Sequence, residues 1–503
     1  MMICETISEQ LRYNAAHHAD DIWLASPETE VSYSWSDTYI KAQQIAHTLL
    51  SNGVEKGESV AIASPNSLGA TLCFLGITMA GARATPMNLV AGAKVIAYVL
   101  SHSKTKKVIV SDDQLDLVKQ AIGASGCDIE IIRLDSEIGP ELKDDKSCEI
   151  PLISTADPAL LMYTSGTTGN PKGVLLTHQN LLNAGGNVAL AHQLSSKDKG
   201  LCVLPIYHIN GLCVTVMGTL VSQSGLVMPY RFSKSRFWHQ VMDYHCSWFS
   251  AVPTLFSYIL NDERTPDLSQ SHLRFARSAS APLPPETHRK FEKRFGVPII
   301  ETMGLTETGA QILSNPLPPE TRKIGSPGIA IGNEVKIINP DTEAEIARGE
   351  EGEIVVRGAN VMAGYLDQPE ETAKSFTADG WLKSGDLGRM DEDGFVFVTG
   401  RIKELIIKGG ENIAPREIDE VLLEHEAVLE AAAFARPCEN YGQRVEACIR
   451  LKDGYQVENQ ALLAHCHDRL GAFKSPDIVH VVDDLPKGPS GKVQRLKLIE
   501  LVD

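Results

Sequence analysis

The sequence predicts a multidomain α/β protein, and three observations lead to this fold class. The chain has 503 residues, more than one ordinary hydrophobic core can organise. Apolar strand-like runs alternate with helical patterns up to about residue 320, which favours layered sheets with largely parallel strands. Short strands separated by turn residues then continue to about residue 400, and a compact α+β tail follows.

The first part of the chain supplies the clearest single elements. Residues 38–51 have the apolar spacing of a helix, whereas residues 59–63 and 107–110 are short apolar runs typical of strands. Two further apolar runs, residues 200–205 and 225–228, continue the alternation and are also predicted as strands.

The region from about residue 320 to 400 predicts a small β-rich subdomain. Residues 334–338 alternate as a strand does and are followed by an Asn-Pro-Asp turn. We expect the large N-terminal domain, residues 1–400, to include this subdomain.

The tail predicts a separate C-terminal domain, residues 401–503, with the boundary at residues 401–403. Pro415 suits the first position of a helix that continues to residue 424. Residues 429–434 and 445–451 are predicted as strands.

Composition narrows the class of partner. The net charge of −17 argues against nucleic acid or an anionic membrane as the main partner, although a local site can still bind an anion. Ten scattered cysteines without a C-x-x-C pair indicate reduced thiols and a cytoplasmic location. No run approaches 18 apolar residues, so membrane insertion is not expected. The sequence carries no signal for an oligomeric state.

Residues 163–173, YTSGTTGNPKG, have the composition of a phosphate loop. They follow the apolar run 159–162, and their glycines let the backbone turn tightly against a ligand. Hydroxyls and free N–H groups can surround phosphate oxygens, while Lys172 adds a positive charge. The string lacks the Gly-Lys-Ser/Thr of a Walker A loop. Its candidate phosphate-binding residues are Thr164, Ser165, Gly166, Thr167, Thr168 and Gly169.

This string closely resembles the phosphate loop of the adenylate-forming enzymes, which include acyl-CoA synthetases, peptide-synthetase adenylation domains and beetle luciferases. Further motifs follow in family order at residues 302–309, 381–388, 400–403 and 486–495, so the resemblance covers nearly the whole chain. It implies a large N-terminal α/β domain with a β-rich subdomain and a small, mobile α+β C-terminal domain.

The motif TMGLTETG, residues 302–309, resembles the second nucleotide motif of this family. A carboxylate beside glycine and threonine can hold Mg²⁺ together with substrate phosphates. The resemblance implies that Glu307 is the Mg²⁺ ligand, that Thr306 contacts the α-phosphate and that Gly304 lies against the nucleotide. Met303 stands where the family usually has an aromatic ring on adenine, and its thioether offers a polarizable contact instead.

Other motifs complete the predicted nucleotide site. By resemblance, Asp386 accepts the ribose hydroxyl protons and Arg401 extends that motif. The small-residue turn along the adenine edge comprises Ser280, Ala281 and Pro282.

The resemblance assigns distinct roles to the C-terminal residues. Lys403 aligns with the hinge between the domains, and Gly409 and Gly410 form the backbone beside the pantetheine of CoA. Lys492, on a Gly/Pro-rich tip, would bridge the carboxylate and the α-phosphate.

The acyl pocket is predicted around His208, Asn210 and Val252. By resemblance His208 is the gate, although a histidine among apolar residues is also often a core residue. Trp248 and Phe249 would bring two rings near the pocket, which favours a short or medium acid, with or without a polar group; alternatively, both rings pack in the core.

The function implied is that of an ATP-dependent carboxylate–CoA ligase that uses ATP, Mg²⁺ and CoA. A carboxylic acid would attack the α-phosphorus of ATP, giving acyl-AMP and pyrophosphate, and the CoA thiol would then displace AMP. A separate carrier protein remains an alternative acceptor, while luciferase-type oxidation and a non-enzymatic binding role are further alternatives. The acid itself is not predicted.

Overall fold

The structure is a computed structural model of the chain. It describes residues 3–140, 148–164, 171–264, 266–488 and 493–503. No helix among these residues is long and apolar enough to cross a membrane.

Helices occur along the whole of the described chain. In order they are α1 Ile7–His17, α2 Trp35–Ser51, α3 Leu68–Met79, α4 Ala93–His102, α5 Leu115–Ser125, α6 His178–Ala191, α7 Gly218–Ser222, α8 Phe237–Asp243, α9 Pro253–Leu260, α10 Pro285–Phe295, α11 Pro369–Lys374, α12 Pro415–Glu424, α13 Asn459–Lys474 and α14 Leu498–Val502. A π-helix, Asn210–Met217, precedes α7.

Strands alternate with these helices. In order they are β1 Ile22–Ala25, β2 Ser32–Ser34, β3 Ser59–Ala63, β4 Arg83–Pro86, β5 Lys107–Ser111, β6 Glu130–Asp135, β7 Gly139–Pro140, β8 Pro158–Thr164, β9 Lys172–Thr177, β10 Lys199–Leu201, β11 Gly225–Val227, β12 Trp248–Ala251, β13 Phe275–Ser278, β14 Ile299–Leu305, β15 Ala310–Ser314, β16 Ile329–Ala330, β17 Glu334–Ile338, β18 Gly352–Arg357, β19 Gly364–Tyr365, β20 Leu382–Met390, β21 Val396–Arg401, β22 Ile406–Lys408, β23 Glu411–Ile413, β24 Val428–Cys438, β25 Gly442–Leu451 and β26 Ile478–Val481.

Two large sheets form the N-terminal part. One has the order β16-β15-β14-β13-β12-β10-β11-β1-β2, and its strands from β14 to β1 run parallel. The other has the order β19-β9-β8-β4-β3-β5-β6-β7, with parallel pairing from β8 to β6. These sheets and their helices confirm the predicted α/β fold class.

The main core lies where helices pack between the two sheets. Every residue of α3 is buried, so this helix has no polar face and fits only between apolar layers. Trp23 and Trp35 stack at 4.2 Å between ring centroids within the same core. Apolar burial on this scale is the main contribution to the stability of the large domain.

Two smaller sheets follow. The antiparallel sheet β17-β18-β20-β21 corresponds to the predicted β-rich subdomain, and Ile337 and Ile354 bury against the main core. The sheet β23-β22-β25-β24, with β26 beside β25, packs on α12 and α13 around its own apolar cluster. The position of the domain boundary stays a prediction.

The structure corrects one predicted strand. Residues 200–205 continue the strand only to Leu201. The N–H of Cys202 still donates to Val227 of β11, but the carbonyl oxygen of Cys202 and the groups that follow bind the side chain of Asn66. Asn66 donates to the carbonyl oxygen of Leu204 at 2.9 Å and accepts from the N–H of Ile206 at 2.8 Å. The strands at residues 59–63, 107–110 and 334–338 are confirmed.

Candidate active site

The carboxyl ends of β12, β13 and β14 meet at one edge of the large sheet. Ala251 pairs with Ser278, and Ser278 pairs with Glu301 on the next parallel strand. Parallel α/β sheets bind ligands outside the carboxyl ends of their strands. A cleft of about 1100 Å³ lies at this edge.

The cleft brings together several residues that the sequence predicts separately. Its lining includes Val252, Ser280, Ala281, Pro282, Met303, Gly304, Asp386 and Arg401. These positions come from the strand ends of the large sheet and from β20 and β21 of the small one, so the predicted adenine, ribose and acyl segments share one surface.

The turn that carries Ser280 is backbone-strained. Ser280 has φ of 73°, a left-handed conformation that non-glycine residues rarely adopt. Such strain persists only where surrounding contacts hold it, and it concentrates at ligand sites. Ser280 Oγ accepts a hydrogen bond from Asn210 Nδ2 at 2.9 Å, one of the contacts that fix the turn.

Gly304 lies where a side chain would not fit. A Cβ atom there would be 1.5 Å from the carbonyl oxygen of Ala310 on the antiparallel neighbour β15. The pairing of β14 with β15 is irregular between Met303 and Gly304, and both residues line the cleft. The second nucleotide motif therefore places backbone, rather than a side chain, beside the cleft at residue 304.

Asp386 and Arg401 form an ion pair on this surface. They face each other on β20 and β21, and Arg401 Nε donates to Asp386 Oδ1 at 2.6 Å. The negative charge of Asp386 is the main cause that raises the pKa of Arg401. The pair holds the carboxylate of Asp386 in a fixed orientation at the cleft wall.

The strands β8 and β9 position the two ends of the predicted phosphate loop. Thr164 pairs with Lys172 across this antiparallel hairpin. The loop residues Ser165, Gly166, Thr167, Thr168 and Gly169 lie outside the described part of the chain. Their predicted contacts to phosphate stay predictions.

Lys172 is held by an acidic partner and an aromatic ring. Its Nζ donates to Glu371 Oε2 at 2.6 Å and lies 4.9 Å from the ring centroid of Tyr365. The hydrogen bond from Lys172 is the main cause that lowers the pKa of Glu371 to about 2. A polyphosphate that binds Lys172 would compete with this carboxylate.

Glu307 lies next to this group. It belongs to the short 3₁₀ turn Thr306–Thr308 that follows β14, and its Oε1 accepts a hydrogen bond from Tyr365 Oη at 2.9 Å. Burial, followed by the charge of Glu307, raises the pKa of Tyr365. Tyr365 therefore connects Lys172 to Glu307, a contact for which the sequence gives no signal.

Glu307 fits a shared Mg²⁺ better than a dedicated metal cage. Within the described residues, no three His, Cys, Asp or Glu side chains cluster to hold a metal ion. Mg²⁺ commonly takes one or two protein carboxylates and completes its shell with substrate phosphates and water. One carboxylate beside a lysine at the phosphate end matches that pattern.

Glu301 is a buried acid that the sequence reasoning missed. It is 3% exposed, it borders the cleft, and its Oε2 has no hydrogen-bond partner among the described residues. Burial raises its pKa to about 7, against the opposing charge of Arg416. Its position in β14 reads as an ordinary strand residue, so only the packed structure reveals it.

The C-terminal domain forms the opposite wall of the cleft. Arg416, Lys452, Lys487 and Arg495 line it. Arg495 is held by Asp419 at 2.7 Å and by Glu404 at 3.2 Å. Acidic residues line the same wall, namely Glu404, Asp419, Glu420, Glu424 and Glu430, and they pair with most of its basic side chains.

The predicted hinge and CoA residues lie on the surface of this domain. Lys403 is exposed in the 3₁₀ turn Ile402–Glu404, directly after β21. Gly409 and Gly410 form the exposed turn between β22 and β23, with φ of 60° and 87°. Lys492 lies outside the described residues, so its predicted role is untested.

Of the three predicted acyl-pocket residues, one lines the cleft and two do not. Val252 lines the cleft, whereas Asn210 lies behind it and His208 packs with Tyr207 at 4.9 Å between ring centroids. Trp248 and Phe249 are fully buried in two apolar clusters and do not line the cleft. The expectation that their rings bound the pocket is wrong, because they face the layers on either side of the sheet.

A family model described as AMP-binding enzyme matches residues 11–366, and one described as AMP-binding enzyme C-terminal domain matches residues 417–492. The chain belongs to the AMP-binding enzyme family. The resemblance stated from the sequence motifs is therefore confirmed.

The chain is also similar, over most of its length, to proteins named as CoA ligases. The chain is 42% identical over 501 residues to a sulfoacetate–CoA ligase of Cupriavidus necator, covering 99% of this chain and 98% of that protein. It is 35% identical to an oxalate–CoA ligase of Arabidopsis thaliana over 90% of both chains. The crystal structure of ATP-bound MatB from Rhodopseudomonas palustris superposes with a TM-score of 0.90 at 28% identity, covering 99% of each chain.

These matches identify the class of reaction as well as the fold. The chain is an adenylate-forming, AMP-releasing acid–thiol ligase of the CoA ligase type. ATP and CoA are the substrates that this class uses with a carboxylic acid. The alternative of a separate carrier protein as acceptor stays a prediction.

Proposed function

We propose that this AMP-binding enzyme activates a short carboxylic acid that carries a second anionic group, and transfers it to free CoA. The observation that carries the proposal is the cleft itself, where the Ser280 turn, Met303 and Asp386 share one surface at the carboxyl ends of the parallel strands. The names of the relatives, sulfoacetate–CoA ligase and oxalate–CoA ligase, support the choice of acid.

The first step brings two anions together, so the site must neutralise charge. ATP would lie with adenine along the Ser280 turn and Met303, and with its ribose hydroxyls on Asp386. Its phosphates would extend toward Lys172, displacing Glu371 from that lysine. Lys492 would approach the carboxylate and the α-phosphate as the acid attacks.

Mg²⁺ would be held by Glu307 together with phosphate oxygens, and when bound it would neutralise charge on the phosphates. The hydrogen bond from Tyr365 would orient the carboxylate of Glu307 for this role. Thr306, which precedes Glu307, would contact the α-phosphate.

The second step needs a thiol where the first step needs Lys492. We propose that the C-terminal domain turns about Lys403 between the two steps, which exchanges Lys492 for the Gly409–Gly410 turn. An exposed two-glycine turn offers backbone without side chains to the pantetheine arm.

Pyrophosphate release with a set of acids tests the proposal. With ATP, Mg²⁺ and CoA present, sulfoacetate or oxalate should yield equal amounts of AMP, pyrophosphate and acyl-CoA. Omission of CoA should leave acyl-AMP bound to the enzyme, and EDTA should stop turnover. Formation of ADP and phosphate with these acids would refute the proposed chemistry.

A further inference from the structure

Arg277 is a charged residue in the middle of a buried strand. It lies in β13 between Ala276 and Ser278, and it is 1% exposed. Arginine is almost never fully buried unless its charge is paired. Arg277 therefore needs a partner that explains its position.

The neighbours of Arg277 in the structure are neutral. Its Nη1 donates to Asn210 Oδ1 at 2.9 Å and to Ser250 Oγ at 3.0 Å, and its Nε donates to Gln311 Oε1 at 3.2 Å. No Asp or Glu of the described chain forms an ion pair with it, and burial lowers its pKa to about 9. The nearby His192 is also neutral, since burial lowers its pKa.

Hydrogen-bond donors remain unused at this group. Arg277 Nη2 donates to no residue of the described chain. Gln311 Nε2 is fully buried and likewise has no partner among those residues. A buried donor left unsatisfied is unfavourable, and more so when it is charged, so these atoms are suited to a ligand that accepts hydrogen bonds.

Asn210 connects this polar group to the cleft. Its Oδ1 accepts from Arg277, while its Nδ2 donates to Ser280 Oγ at 2.9 Å, and Ser280 lines the cleft. Two hydrogen bonds of 2.9 Å and one amide group thus separate Arg277 from the cleft surface. Val252, also at the cleft, follows two residues after Ser250.

We propose that Arg277 binds the second anionic group of the acid substrate, a carboxylate or sulfonate, while the reacting carboxylate lies at the Ser280 end of the cleft. The inference rests on the proposed function and assigns a specificity residue to it. A guanidinium can donate two parallel hydrogen bonds to such an oxyanion, which a buried setting makes stronger. The anion would supply the charge that the protein around Arg277 lacks.

A purely structural role is the alternative, in which Arg277 holds Asn210, Ser250 and Gln311 in place. That role would affect all acids alike, whereas a binding role depends on the second charge. Sulfoacetate and 3,3-dimethylbutanoate separate the two, because sulfonate and tert-butyl groups have similar shape and differ in charge. Malonate distinguishes a carboxylate from a sulfonate as the preferred anion.

The experiment measures kcat/KM for these three acids by pyrophosphate release in the wild type, Arg277→Met and Arg277→Lys. We expect Arg277→Met to lower kcat/KM for the preferred dianionic acid by about 100-fold or more, with little loss for 3,3-dimethylbutanoate. Arg277→Lys should restore part of the preference. Arg231→Met, which removes an exposed arginine, is the matched control and should leave all ratios unchanged.

Equal losses for charged and uncharged acids in Arg277→Met would overturn the proposal, as would an unchanged preference. A wild-type enzyme that prefers 3,3-dimethylbutanoate to both dianions would also overturn the proposal for Arg277. The formation of acyl-CoA by this enzyme would still stand in that case. Absence of pyrophosphate with every acid would instead refute the proposed function. Thermal unfolding of each variant shows whether a loss of kcat/KM reflects a loss of folded protein. If Arg277→Met does not fold, the comparison of acids in Arg277→Lys still tests the proposal.

Discussion

Replacing Glu301 by glutamine should make the stability of the protein less dependent on pH. Glu301 is nearly fully buried at the cleft, and burial raises its pKa from 4.5 to about 7. In the unfolded chain the same acid ionises at its ordinary pKa. Between these two values the folded state binds a proton that the unfolded state has lost, so the free energy of unfolding falls as pH rises.

The size of the effect follows from the pKa difference. Each pKa unit corresponds to about 1.4 kcal/mol, so the wild type should lose about 2.5 kcal/mol from this group between pH 5 and pH 8. Glutamine has the same shape and no charge to desolvate, hence Glu301→Gln should lack this loss. The free energy of unfolding of the variant, measured relative to that of the wild type, should therefore be higher at pH 8 than at pH 5.

Denaturant unfolding of both proteins without ligands at pH 5 and pH 8 measures this difference, and titrations that the two proteins share cancel. Glu351→Gln is a matched control, since Glu351 is exposed and should show no such pH-linked gain. Parallel pH profiles for the wild type and Glu301→Gln would refute the reasoning, because they would mean that Glu301 is ionised in the folded state at no cost.

Three further predictions concern the reaction. Lys492→Ala should lower acyl-AMP formation on the order of 10²-fold and spare thioester formation from supplied acyl-AMP. Gly409→Leu places a side chain at φ of 60°, with its Cβ 3.4 Å from Tyr441; it and Lys403→Pro should spare ATP–pyrophosphate exchange and slow CoA transfer. Across unbranched fatty acids, kcat/KM should peak at or below about eight carbons, because polar groups at the predicted acyl pocket, such as those of Asn210 and Ser280, penalise a bare alkyl chain.

Separate assays of the half-reactions check the first two predictions. If Lys492→Ala reduces both half-reactions equally, its role is not limited to adenylation. A fall in pyrophosphate exchange as large as the fall in CoA transfer would show that Lys403 is not the hinge. For the fatty acids, a continuous rise to sixteen carbons would contradict a short pocket.

The sequence predicts those elements whose residues themselves determine their structure. Residues 59–63 form a strand because the run is apolar and is buried on both faces. Residues 202–205 are equally apolar, yet Asn66 binds their backbone from a distant part of the chain. No local pattern contains that contact, so the end of β10 could not be predicted.

The same division applies to the site. The motifs predict Ser280, Met303 and Asp386, and the cleft unites them, since each motif carries its own turn chemistry. Arg277 and Tyr365 depend on partners far away in sequence. The one available signal for Arg277 is a charge within an apolar strand, which does not reveal that its neighbours are neutral.

The path of oxygen tests the central claim most directly. Sulfoacetate labelled with ¹⁸O in its carboxylate is incubated with ATP, Mg²⁺ and CoA, and the products are analysed by mass spectrometry. If the carboxylate attacks the α-phosphorus and the thiol then displaces AMP, each AMP formed carries one ¹⁸O, and pyrophosphate carries none. Label in phosphate with ADP as the nucleotide product, or unlabelled AMP beside acyl-CoA, would contradict adenylation as the activating step.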